Sequence, residues 1–164
     1  MYDCQTRLKI LIVDHEQFEA DLLEKLIAEY GHNGTTTIQS AEAISLIAEH
    51  YKKNNPFDMV FTEFMLDGTT SIELCRKLRS IDPTLTIVIN TGDNSIETKM
   101  KIARAGNFSA FISKTSEISS IKHQLDIAMS NKKAKMSGAK SVYSEQLNKE
   151  SGKSRTRQSS RKKN

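Results

Sequence analysis

The chain has 164 residues, enough for one domain with a sizeable core, and its 37% hydrophobic and 27% charged residues are ordinary for a folded protein. No stretch approaches the ~20 apolar residues that span a bilayer, and the apolar run at residues 10–13 is too short for a signal-peptide core, so we expect a soluble, cytoplasmic protein. Cys4 and Cys75 lack metal-ligand spacing and are expected to be free, reduced thiols.

The net charge of +4 is the average of two unlike segments. Residues 131–164 contain 11 Lys and Arg against 2 Glu, which leaves 13 basic and 18 acidic side chains in residues 1–130. The C-terminal segment therefore has a charge of +9 and the rest of the chain −5. Because this segment has few apolar groups to bury, we predict a disordered basic tail at 131–164, a folded domain at 8–130 and a short arm at 1–7.

Short apolar runs alternate with segments of helical periodicity along residues 8–129. The runs predict five buried strands, at residues 8–13, 35–38, 58–62, 85–89 and 110–112. Apolar residues at helical spacing predict one helix after each strand, beginning near Phe18, Ser40, Ser71, Ile96 and Ile118. This strict alternation predicts an α/β fold, a doubly wound parallel sheet with helices on both faces.

Polar residues follow the predicted strands, and the carboxyl ends of parallel strands lie at one rim of a sheet. They are Asp14, His15 and Glu16 after the first strand, Glu63 after the third, Thr91 after the fourth and Lys114 after the fifth. Carboxylates beside a hydroxyl and a cation suit a site that handles a phosphoryl group and a divalent metal. The sequence offers no nucleotide-binding loop and no nucleophile with an adjacent base, so we expect no enzyme activity.

Residues 8 to about 129 resemble the receiver domain of two-component response regulators. Four segments carry the resemblance, in the right order at the ends of the predicted strands: LIVDHE, FDMVFTEFMLDG, INTG and AFISK. The resemblance implies a flavodoxin-like sheet of strand order 2-1-3-4-5 and a role in phosphorelay signalling. In that family an aspartate at the end of the third strand accepts phosphate from a histidine kinase, and two acidic residues after the first strand hold Mg²⁺.

Several positions match the functional residues of that family. The resemblance implies that Asp14 is the first of the acidic pair, that Thr91 senses the phosphoryl group and that Lys114 pairs with it. Phe111 falls at the aromatic switch position of the fifth strand. The family's output face, formed by the fourth helix at residues 95–106, the fifth strand and the fifth helix, is the implied surface for a protein partner.

Two positions depart from the family pattern, because Glu63 stands where the acceptor aspartate belongs and His15 replaces the second acidic residue. The extra methylene of Glu63 moves its carboxylate by up to about 1.5 Å, and a displacement on the order of 1 Å can cost ~100-fold in rate. Imidazole in place of a carboxylate weakens the Mg²⁺ site, for which Asp14 and Glu63 remain as ligands. We therefore predict a pseudo-receiver that has lost phosphotransfer.

Glu63 has two interpretations. Its longer side chain reaches toward the place of the phosphoryl oxygens, where it would accept a hydrogen bond from Thr91 and pair with Lys114. It would then imitate the activated state with about one negative charge in place of the nearly two of a phosphoryl group. In the second interpretation Glu63 is a structural acid that only tethers Lys114.

Two further residues have a plain and a special interpretation. His15 is expected to be an exposed loop histidine, although with Asp14 and Glu63 it has acceptable ligand types for a transition metal. Asp67 is expected to belong to a turn with Gly68, in preference to being an acceptor displaced along the chain.

Two other classes of function remain open. One is a working phosphorelay component, in which Glu63 or another acid still accepts phosphate from a kinase. The other is a nucleic-acid-associated protein whose basic tail binds a polyanion in a salt-sensitive, sequence-blind manner. Attraction of the tail to an anionic membrane surface would be weak, because the tail has no apolar face to insert.

Overall fold

The computed structural model describes the backbone of residues 7–158 and the side chains of residues 7–138. Residues 1–6 of the predicted arm, with Cys4, and residues 159–164 lie outside this part of the chain. Strands and helices alternate as predicted. Their bounds are β1 Lys9–Val13, α1 Gln17–Glu29, β2 Asn33–Thr37, α2 Ser40–Lys52, β3 Met59–Thr62, α3 Ile72–Ile81, β4 Thr86–Thr91, α4 Ile96–Ala105, β5 Ala110–Ser113 and α5 Ile118–Gln158.

The five strands form one parallel sheet in the order β2-β1-β3-β4-β5. This order confirms the predicted doubly wound fold. Val13 lies beside Thr62, and Thr62 lies beside Ile89. At the next pair of strands, Thr91 lies beside Ser113. The residues that directly follow β1, β3, β4 and β5 are therefore neighbours at one rim of the sheet.

Helices cover both faces of the sheet, which explains why its central strands are apolar without alternation. The face under α2, α3 and α4 buries Leu11, Val13, Val60, Ile87 and Ile89. The face under α1 and α5 buries Ile10, Ile12, Met59, Phe61 and Val88. Cys75 on α3 is a buried free thiol, as predicted, and burial raises the pKa of this thiol to about 11.

The apolar residues of α1 contribute unequally to the core. Ala20, Leu23 and Ile27 are buried, whereas Phe18 is 72% and Leu22 49% exposed. Because Phe18 and Leu22 lie four residues apart, they form a second apolar strip beside the buried one. Helical spacing thus predicts the helix correctly but not which of its apolar residues the sheet covers.

A short antiparallel hairpin, Met65–Leu66 with Thr69–Thr70, follows β3 and was not predicted. Its two turn residues both have positive φ, 48° for Asp67 and 78° for Gly68. Asp-Gly is favoured in such two-residue turns because both positions require a left-handed backbone. Asp67 therefore belongs to the turn, as the plain interpretation predicts.

The C-terminal segment differs from the prediction of disorder, because α5 continues as a helix to Gln158. The prediction of disorder was based on the small number of apolar groups that this segment could bury. A helix satisfies its backbone hydrogen bonds internally, and the Ala, Lys, Arg, Glu and Gln of this segment are favourable helix residues. The chain divides into two compact units between Met129 and Ser130.

Within residues 7–158 no helix is both long and apolar enough to cross a membrane.

Candidate functional site at the rim of the sheet

The sheet brings four of the predicted site residues together. Asp14 and Glu63 directly follow the paired residues Val13 and Thr62 and are therefore adjacent. The backbone N–H of Lys114 donates to the carbonyl of Thr91 at 2.8 Å, which joins the ends of β4 and β5. The predicted meeting of these residues at one rim is confirmed.

Lys114 connects the two carboxylates. Its Nζ lies 2.6 Å from Asp14 Oδ2 and 2.9 Å from Glu63 Oε2. The three side chains are 16%, 7% and 8% exposed, respectively, so little solvent screens them. Burial by itself lowers the pKa of Lys114, but hydrogen bonds and charge attraction from both carboxylates outweigh it, and the pKa lies above its ordinary value.

Both carboxylate oxygens of Glu63 accept hydrogen bonds from backbone N–H groups. Oε1 accepts a hydrogen bond from the Phe64 N–H at 2.7 Å, and Oε2 accepts a long one, 3.4 Å, from the Gly92 N–H. The expected hydrogen bond from Thr91 to Glu63 is absent. The Thr91 hydroxyl instead accepts from the Asp93 N–H at 3.1 Å.

Thr91 is thereby linked to the start of α4. Asp93 accepts hydrogen bonds from the Ser95 N–H at 2.8 Å and from the Thr98 hydroxyl at 2.6 Å, and these two bonds hold the pKa of Asp93 below its ordinary value, with Thr98 the larger cause. Ser95 caps the helix by accepting from the Thr98 N–H at 3.2 Å. Sequence reasoning missed this connection, although an Asp and a Ser just before an apolar periodic segment are a helix-start signal.

His15 and Glu16 lie at the outer side of the site. Asp14 is buried, and its Oδ1 accepts from the Glu16 N–H at 3.0 Å. His15 has 38% of its side chain exposed, with Nδ1 3.9 Å from Asp14 Oδ1 and Nε2 3.7 Å from Glu16 Oε1. Both distances exceed hydrogen-bonding range. This position agrees with the plain interpretation of His15 as a loop residue.

The donor set does not fit a metal ion. Mg²⁺ requires near-octahedral oxygen ligands, but Asp14 and Glu63 each direct an oxygen at the Lys114 ammonium. The second acidic position holds His15. Within the part of the chain that the structure describes, no three His, Cys, Asp or Glu side chains are grouped so as to hold a metal ion. The residues thus support neither the weakened Mg²⁺ site at Asp14 and Glu63 that the sequence left open nor the transition-metal alternative.

Apolar side chains are exposed on α4 and β5. Ile96 and Met100 on α4 are 77% and 47% exposed, and Phe111 on β5 is 39% exposed. Phe111 pairs in register with Ile89, two residues before Thr91 on β4. The aromatic residue at the predicted switch position is therefore near the rim but reaches solvent.

A five-stranded parallel α/β sheet with acidic, hydroxyl and lysine side chains at its carboxyl rim defines a receiver-type domain. The family model described as "Response regulator receiver domain" matches residues 10–126. The chain therefore belongs to the response regulator receiver domain family.

Similar proteins agree with this assignment. The transcriptional regulatory protein ZraR of Salmonella typhimurium is 23% identical over 100 residues, 61% of this chain and 22% of that protein. The response regulator MprA of Mycobacterium sp. strain KMS is 28% identical over 99 residues, 60% of this chain and 41% of that protein. The chain thus matches less than half the length of these relatives.

A solved structure shows the same fold. The CheY-like response regulator receiver domain protein from Methanospirillum hungatei JF-1 has a TM-score of 0.66 and 19% identity, covering 79% of this chain and 98% of that one.

Proposed function

We propose that this chain is a pseudo-receiver, a signalling module of the two-component type in which Glu63 replaces the phosphoacceptor aspartate. It acts by protein contact and not by catalysis, and it works in the cytoplasm. The observation that carries the proposal is the double contact of Lys114 Nζ with Asp14 and Glu63. This contact occupies, with the chain's own charges, the place where a phosphoryl group and a metal would be bound.

Glu63 is poorly placed to attack a phosphoryl donor. One of its oxygens accepts from the Phe64 N–H and the other contacts Lys114 and the Gly92 N–H. A nucleophilic oxygen must be held in line with the phosphorus, and an added methylene changes that position by more than the tolerated error. The carboxylate is therefore bound as a structural group.

The two interpretations of Glu63 receive unequal support. Lys114 pairs with Glu63 as it would with a phosphoryl group, but the Thr91 hydroxyl makes no hydrogen bond to Glu63 and accepts one from the Asp93 N–H. Imitation of the activated state needs both contacts. The contacts therefore favour a structural tether, and signalling that depends on something other than phosphorylation of this site.

The surface for a protein partner is the α4-β5-α5 face. Ile96, Met100 and Phe111 supply exposed apolar area on it, and central apolar anchors dominate the affinity of many interfaces. The hydrogen bonds from Thr91 through Asp93 to Thr98 connect this face to the rim. A histidine kinase is not required for an interaction of this kind.

Phosphorylation chemistry tests the proposal directly. We expect that incubation with acetyl phosphate and Mg²⁺ leaves the native protein without a phosphoryl adduct in intact-mass spectrometry. In the family reaction, a carboxylate oxygen forms the new P–O bond while acetate leaves. The double variant His15→Asp with Glu63→Asp restores both acidic positions, and we expect it to gain one phosphoryl group.

The control adds Asp14→Asn to that double variant, and we expect the adduct to be lost again. A stable adduct on Glu63 of the native protein would contradict the pseudo-receiver and favour a working phosphorelay component.

A second candidate function rests on the charge of +9 in residues 131–164. Such a segment attracts nucleic acid through phosphate contacts. Gel retardation compares the native protein with a variant in which Lys153, Arg155, Arg157, Arg161, Lys162 and Lys163 are replaced by Gln. If the tail binds, native affinity falls on the order of 10³-fold between roughly 50 and 200 mM salt, and the variant binds far more weakly. Equal retardation of the two proteins would end this candidate.

A further inference from the structure

A groove of about 410 Å³ runs between α1 and α5 on the side of the sheet away from α4. Ligand sites typically have volumes of about 300–1,000 Å³ and mostly apolar walls with a few polar groups. Its aliphatic walls are formed by Leu22, Leu23 and Leu26 of α1 and by Ile118 and Ile121 of α5. Leu22 and Ile118 are 49% and 59% exposed, so the groove is open to solvent.

One polar side chain of this groove is incompletely bonded. Asn90 lines the groove and is only 9% exposed, on the same sheet face as the buried Val88. Its Oδ1 is buried and accepts no hydrogen bond from the described residues. A buried acceptor without a partner is destabilising, so a ligand that donates a hydrogen bond there gains an interaction that the described residues do not supply.

The charges at the rim end of the groove favour a cation. Asn90 lies beside Ile112 in the sheet and is one residue from the rim. Glu19, in the first turn of α1, is at that end as well. Lys114 also lines the groove, but its charge is matched by Asp14 and Glu63. Lys25 and Glu29 line the rest of the groove and have opposite charges, so the charge that is left unmatched is that of Glu19.

We propose that this groove binds a small apolar amine, with its ammonium group at Asn90 and Glu19 and its apolar body between Leu26 and Ile121. An ammonium has three hydrogen-bond donors and no acceptor. It therefore suits an acceptor without a partner beside a carboxylate. The inference rests on the rim as proposed above, in which Asp14 and Glu63 match the charge of Lys114, although neither carboxylate lines the groove itself.

The test is a two-dimensional NMR titration of the full chain with two indole probes of similar size and opposite charge, tryptamine and indole-3-propionate. We expect tryptamine to shift the amide signals of Leu26, Ser113 and Ser116 in a saturable way. We expect indole-3-propionate to bind about ten-fold more weakly, because its carboxylate approaches Glu19 and has no donor for Asn90.

Two variants separate the polar contacts from the shape of the groove. Asn90→Leu keeps the side-chain size but removes the acceptor, and we expect tryptamine affinity to fall about five-fold. Glu19 is only partly buried, so Glu19→Gln removes a charge from the groove with little change of packing, and we expect it to reduce the preference for tryptamine. Ile38→Ser, at an exposed position just after β2, is the matched control outside the groove and should leave tryptamine binding unchanged.

Three results would overturn the proposal. The first is the absence of saturable shifts with tryptamine up to its solubility limit. The second is equal affinity of the native protein for both probes. The third is native tryptamine affinity in both groove variants.

Discussion

The rim of the sheet and the adjacent groove both contain buried polar side chains, but the two regions satisfy them differently. At the rim, Asp14 and Glu63 share the Lys114 ammonium and accept further backbone hydrogen bonds. In the groove, the Oδ1 of Asn90 has no partner among the described residues. The rim, where the family binds its phosphoryl group, is therefore occupied by the chain's own charges, whereas the side chain that lacks a hydrogen-bond partner, Asn90, lies one residue before Thr91 on β4.

The largest expected effect comes from removing the positive charge of Lys114 at the rim. Lys114→Met leaves two buried carboxylates close together without a counter-charge, and loss of one partner of a buried ion pair costs about 3–5 kcal/mol. We expect the free energy of unfolding, measured by urea denaturation at neutral pH, to fall by about that amount.

Lys122→Met is the matched control. Lys122 Nζ lies 3.0 Å from Asp126 on α5, and both side chains are more than half exposed, so the loss should be about 0.3–0.5 kcal/mol. If Lys114→Met were no more destabilising than this control, the rim would not be a closed, mutually stabilised group.

The pH dependence of the unfolding free energy tests the same ion pairs of Lys114, with a smaller expected effect. The folded-state pKa of Lys114 is raised above its ordinary value of 10.5, so the charged form stabilises the folded state. This contribution is fully present below 10.5 and is lost as pH rises through the higher folded-state pKa. We expect the difference in unfolding free energy between the native protein and Lys114→Met to shrink above that pH. A difference that stays constant into that range would contradict the assignment.

The sheet and the clustering of polar residues at its rim follow from patterns in the sequence. Continuous apolar runs of strand length, each followed by helical spacing, indicate the parallel sheet because both its faces are covered. The polar residues that end these runs must share a rim, so the proximity of Asp14, Glu63 and Lys114 was predictable. The direction of the Thr91 hydroxyl was not, since it depends on the local turn that places the Asp93 N–H nearby.

The groove was not predicted for a different reason. Asn90 directly follows the fourth predicted strand, at residues 85–89, but in the structure it lies within β4. Its position two residues after Val88 places it on the same face, under α1 and α5. Helical spacing identifies the apolar residues of α1 but does not tell which of them the sheet leaves uncovered. The exposure of Leu22 and the incomplete bonding of Asn90 arise from packing between distant segments.

The smallest expected effect comes from replacing the buried polar side chain of Asn90 by an apolar one. Asn90→Leu replaces a buried acceptor that has no partner among the described residues by an apolar side chain of similar size, on a face that already buries Val88. Removal of the desolvation penalty should raise the unfolding free energy by about 1 kcal/mol, at the lower end of the cost of an unsatisfied group. Urea denaturation without added ligand measures it.

Asn94→Leu serves as the control for this change, because Asn94 is exposed and donates to the Thr115 hydroxyl at 3.1 Å. Its effect should stay within about 0.5 kcal/mol. A loss of more than about 1 kcal/mol in Asn90→Leu would mean that Asn90 is satisfied within the folded chain. The buried polar groups of the groove would then have hydrogen-bond partners, as those of the rim do. Nothing would then favour a hydrogen-bond donor as a ligand at Asn90.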